Sequence, residues 1–179
     1  MVSAGTRKRV AHYGWIRHES SPLQVAGCLT VCVGSDENEA AVAFGADLSS
    51  GVIVDPDVGV TSVDPLAGFV TVTETDQPTV IVVEDNGFQG SMSLPLEAAS
   101  RRGRAASVFW NVDGLVVVSG ARRGRMVFSG ELGLLDVNDV PARMGPYVRL
   151  ALDDESVDPV AVGAAMVETF TGVRLRPEL

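Results

Sequence analysis

Histidine, cysteine and lysine are scarce in this chain: two, two and one of them among 179 residues. A Ser–His–Asp or Cys–His site would have to be built on His12 or His18, and neither lies in a nucleophile motif. The pattern G-x-S-x-G is missing, as are the P-loop and G-x-G-x-x-G that cradle phosphates. No cofactor is therefore expected. Cys28 and Cys32 alone make no disulfide framework. They lie in the apolar run LQVAGCLTVCV, where a strand would set them roughly 13 Å apart at about 3.3 Å per residue. Two thiolates that each approach a zinc to about 2.3 Å cannot span that gap. Both read as buried free thiols, and no metal is expected.

The chain has no apolar run of about 18 residues, so no membrane span is expected. The basic start, MVSAGTRKRV, is followed by no apolar stretch, so no signal peptide is expected either, and the cytoplasm is the default location. Aromatics are only 6% of the chain, and a fold with so few usually buries them. Tyr13 and Trp15 are accordingly read as core more than as an exposed pair.

The chain is 46% hydrophobic and rich in valine, with a formal net charge of -9. That length and composition suit one domain with a real core. The charge suits solubility and makes nucleic acid an unlikely partner. Against that background the basic residues stand out. Of 14, 13 are arginine, and six fall in two RRGR motifs: Arg101, Arg102 and Arg104, then Arg122, Arg123 and Arg125.

Residues 1–10 read as a frayed tail and residues 11–179 as a single domain. Residues 23–33 form a buried strand ended by Gly34. Ser35 or Asp36 caps a short helix that stops at Gly45. Residues 45–68, with Gly51, Asp55-Pro56, Gly59 and Asp64-Pro65, form an irregular insertion with a short strand at 52–54. The stretch 79–120 organises the rest. FVTVTET at 69–75 pairs with the strand at 79–84, and Asp85-Asn86-Gly87 makes a turn. Residues 88–92 add a short strand. Ser93 caps a helix that stops at Gly103, with Leu94, Ala98 and Arg101 on one face. A three-strand meander follows over 105–129, turning at Asp113-Gly114 and at the second RRGR. Asn138 starts a helix through Arg143, residues 147–152 form a last strand, and Asp158-Pro159 opens a final helix to Phe170 or Thr171. The expected fold is α+β: a mostly antiparallel sheet with three or four short helices packed on it.

Several pieces resemble a family of actinobacterial proteins, the DUF6461 domain-of-unknown-function group. They are Tyr13 and Trp15, CLTVCVG at 28–34, FGAD at 44–47, VVEDNGFQGS at 82–91, SVFWNVDG at 107–114 and TGVRLRPE at 171–178. The chain departs from that family in its short acidic helix after Gly34 and in residues 45–68. The resemblance implies one α+β domain and an actinobacterial or actinophage source. It implies no activity, and no functional residues are carried over.

Function is therefore approached by elimination. A non-enzymatic protein-binding module is expected, such as an immunity, inhibitor or phage–host interaction protein, with another protein as partner and a homodimer as a further option. Its candidate surface is Phe88, Trp110 and the six arginines of the RRGR motifs. One alternative is a small hydrolase or transferase using Glu84, Asp85 and Asn86, although neighbouring strand residues point to opposite faces. Another is phosphate or nucleic-acid recognition through the RRGR clusters.

Overall fold

The computed structural model describes residues 2–19, 21, 23–45, 67–72 and 76–177. Its central strand is β1 (Gly27–Val33), GCLTVCV, buried along its whole length. A strand with so few polar residues is stable only where both faces are covered. That position is what the sheet provides. Its order is β2 (Ala67–Val72), β3 (Thr79–Asp85), β1, β4 (Arg104–Trp110), β5 (Val116–Arg122) and β6 (Arg125–Glu131). Every pairing is antiparallel. Of the expected 69–75 partner of β3, residues 69–72 lie in β2 and residues 73–75 lie outside the described residues; the 105–129 meander is present.

Helices cover the two faces. One face carries α2 (Glu37–Ala43) and α3 (Ser93–Ala99), closing a small core of Cys32, Ala40, Val80, Val82, Leu96, Ala99, Ala105 and Ala121. The other carries α1 (Ala4–His12), α4 (Gly145–Asp153) and α5 (Pro159–Thr171) over the main core, which includes Leu29, Val31, Val108, Trp110, Val118, Val162 and Phe170. Strand alternation assigns the faces: Leu29, Val31 and Val33 go to α5's side, Cys28, Thr30 and Cys32 to the other. The result is a single α+β domain.

Asp36 caps α2 through a full capping box with Glu39, and Asp158 caps α5, which closes at Gly172 in the left-handed region (φ 78°). Several expectations are corrected. Residues 1–10 are not a frayed tail: Ser3 caps α1, whose Val10 is buried in the main core. The helix forms because tertiary contacts with α5 supply what its weak apolar face does not. Residues 88–92 hold a 3-10 turn over Gln89–Ser91 instead of a strand. Ser93 is the first helical residue of α3 and not its cap, and the buried face is Leu96, Ala99 and Ser100, with Leu94 in solvent. Residues 138–143 are turns, and residues 147–152 are helical within α4. The α-helices among the described residues number five, against the three or four expected. The insertion at 45–68, with its strand at 52–54, lies outside the described residues beyond Gly45, except where Ala67 and Gly68 open β2.

Candidate functional site

The two RRGR motifs, about twenty residues apart in sequence, meet at one end of the sheet. The register explains why. Arg104 opens β4 opposite Arg122 at the end of β5, and Arg122 stands opposite Arg125 at the start of β6. Three adjacent strands thus set three arginines in one row. The turns that carry the remaining members are joined through two backbone amides. Arg123 N donates to the Gly103 carbonyl at 3.0 Å, and Gly124 N donates to Ser100 Oγ at 3.1 Å.

Each motif's glycine has a backbone reason. A Cβ at Gly103 would run into the Val33 carbonyl oxygen. Gly124 sits at φ 75° in the two-residue β5–β6 turn. Its neighbour Arg123 is also left-handed, at φ 51°. That conformation suits Asn or Gly and costs a bulky residue about 1–2 kcal/mol. Arginine is therefore held at the tip of this turn against local preference.

The electrostatics are lopsided. Arg102 pairs with Glu39 at 2.7 Å. Arg101, Arg104, Arg122, Arg123 and Arg125 have no carboxylate partner among the described residues. Arg143, from the turns before α4, joins the row and donates to the Phe170 carbonyl at 3.1 Å. The Arg122 guanidinium lies 5.5 Å over the Phe170 ring. Both contacts favour the cations at the C-terminal end of α5, where backbone carbonyls are unpaired. Arg104 is the exception. Its Nε is buried without a hydrogen-bond partner among the described residues. Burial, and then the positive charges of Arg122 and Arg143, pull its pKa below the ordinary arginine value. The fold therefore concentrates like charges that repel one another, in a molecule whose overall charge is negative.

Phe88 and Trp110 do not belong to this end. Trp110 closes β4 at the far end from Arg104 and is fully buried, with its indole N–H on the Leu23 carbonyl at 3.1 Å. The alternation of β4 leaves Phe109 as the half-buried member of the pair. Phe88 is exposed, as expected for a surface residue, but it follows β3's far end. Trp110 is thus a core anchor and not a recognition residue.

Glu84 has a structural task. It is 3% exposed, and its two carboxylate oxygens accept the N–H groups of Gln89 and Gly90, each at 2.8 Å. Ser107 donates to the Gly90 carbonyl from the other side. Gly90 is packed so closely that a Cβ there would meet Thr30 Oγ1, Cys28 Sγ and Glu84. Asp85 and Asn86 are exposed on the turn, Asn86 with φ 53°. The three do not form an acid pair. Cys28 and Cys32 are buried free thiols. Among the described residues no three His, Cys, Asp or Glu side chains gather as a metal would need, and no helix is long and apolar enough to cross a membrane.

Comparison with family models, curated proteins and solved structures gives no match to this chain. The site has to be read from its own geometry.

Proposed function

We propose that the protein is a non-enzymatic binding module that holds an acidic face of another protein against its arginine end. The observation that carries this reading is the joining of both RRGR motifs, five of whose six arginines lack a carboxylate partner among the described residues. Guanidinium groups are weakly hydrated and bind carboxylates in a planar fork, so they suit a protein interface. The patch is compact, and the net charge of -9 repels a long polyanion that would extend past it. That favours a protein face over nucleic acid. Free buried thiols suit a cytoplasmic setting. An immunity, inhibitor or phage–host role is the kind of work such a module would do.

The test is fluorescence anisotropy with a labelled polyglutamate peptide, with duplex DNA and RNA as comparators, across a salt series. Binding to the peptide is expected to weaken with salt and to fall at least tenfold when Arg122 and Arg125 are both changed to glutamate, since charge-assisted bonds contribute about 1.5–3 kcal/mol each. Unchanged affinity in that variant, or preference for the duplexes, would overturn the reading.

A further inference from the structure

We propose that the groove between α1 and the C-terminal segment binds the phosphate group of a small phosphorylated molecule. This site shares no residue with the arginine end. Gly5, Lys8, Arg9 and His12 fall on one side of α1 at helical spacing, and Arg174 faces them from beyond α5. Together they line a cavity of about 360 Å³. No acidic side chain is in that lining.

Arg9 and Arg174 are held in place from below. Arg9 Nη1 donates to the Tyr147 hydroxyl at 2.6 Å and reaches Thr169 Oγ1 at 3.5 Å. Its Nε lies 3.2 Å from Glu168 Oε1. Arg174 donates to the same oxygen through Nε at 3.3 Å and Nη2 at 3.1 Å. His12 Nε2 lies 3.0 Å from the Leu175 carbonyl, where only a donor pairs, so it carries the proton there. These bonds leave Arg9 Nη2, Arg174 Nη1 and the Lys8 ammonium without a protein partner among the described residues. The two guanidiniums are preformed donors around one space, which lowers the ordering cost of binding, and the exposed Lys8 ammonium adds a mobile third.

Charge selects the ligand. Lys8, Arg9 and Arg174 bring three positive charges, and Glu168 offsets one, leaving a surplus of two. A phosphate monoester carries about -1.5 to -2 at neutral pH and three acceptor oxygens, whereas a single carboxylate carries about -1. The phosphate matches both the surplus and the number of free donors.

Lys8 is the chain's one lysine, so its acylation reports on this groove alone. The folded protein is treated with an amine-reactive acetyl ester, and the Lys8 peptide is quantified by mass spectrometry against orthophosphate, a sugar phosphate, citrate or chloride at equal ionic strength. Saturable protection by orthophosphate is expected, and tighter protection by the sugar phosphate would mark an ester as the natural source. Isothermal titration with orthophosphate is expected to show about tenfold weaker binding in Lys8→Gln, an exposed position whose change leaves the fold intact. Equal protection by chloride or by citrate, or unaltered binding in Lys8→Gln, would overturn the assignment.

Discussion

Cys32 sits in β1 between α2 and the sheet, wholly buried, and burial pushes its thiol up to about 12. Cys28 is also raised, by burial first and then by the neighbouring Glu84 carboxylate. In the unfolded chain both would titrate near 8.5. The folded state therefore keeps protons that the unfolded state releases. The sign follows: the contribution is complete below about pH 8.5 and is lost as pH rises toward the folded values, by up to about 1.4 kcal/mol per pH unit for each thiol. Urea unfolding over an alkaline pH series is expected to show midpoints falling in that window. A thiol reagent at mildly alkaline pH should label neither cysteine in the native protein and both in urea. Fast labelling of the native protein would contradict the buried placement. The apolar run around these residues already revealed their burial. The role of Glu84 was hidden, because an acid beside Asp85 and Asn86 looks like a site until Gly90 is seen folded back over it. Trp110 is misplaced on the candidate surface for a different reason: alternation says that Phe109 and Trp110 part company, but not which of them faces the core.

At the level of elements, α5 shows how packing overrides propensity. Gly163 lies mid-helix, where alanine would gain about 1 kcal/mol of helix propensity. A Cβ there would sit 2.5 Å from Val108 Cγ2 and 3.0 Å from Val118 Cγ1. Both valines are buried strand residues with stiff side chains. Overpacking of this kind costs about 1–3 kcal/mol. Gly163→Ala is thus expected to be destabilising by about 1 kcal/mol net, read as a lower urea midpoint at unchanged slope. A stabilised variant would mean that α5 can lift off the sheet at no cost. The Asp158-Pro159 start and Gly172 stop of α5 were legible because caps are local chemistry. α4 was not. Residues 147–152 alternate well enough for a strand, and the helical stripe emerges only when Met144 is read with Tyr147, Val148 and Ala151. α1 was missed because its apolar content is slight, and its stability comes from residues more than 130 positions away.

The whole molecule is closed by one carboxylate. Glu168, near the end of α5, accepts from Tyr13 at 2.6 Å, pairs with Arg9 at 3.2 Å and holds Arg174 at 3.1 Å. These bonds tie α1 and the turn after it to α5 and to the chain's last described segment. Burial and this carboxylate together hold the Tyr13 phenol above the usual tyrosine range, so Tyr13 remains a donor. Glu168→Gln keeps the shape and removes the charge. Breaking a buried ion pair costs about 3–5 kcal/mol, but both arginines here are partly solvated, so about 2 kcal/mol is expected. The loss should be regional. α1 touches the body mainly through α5, whereas β1, β3 and β4 are held by the ladder and both cores. In hydrogen exchange, the amides of α1 are expected to open roughly thirtyfold faster in Glu168→Gln while those of the central strands keep their protection at native-favouring conditions. Equal loss across β1 and α1 would mean instead that the N-terminal helix unfolds only with the whole domain, and that Glu168 stabilises the fold globally and not the docking of one helix.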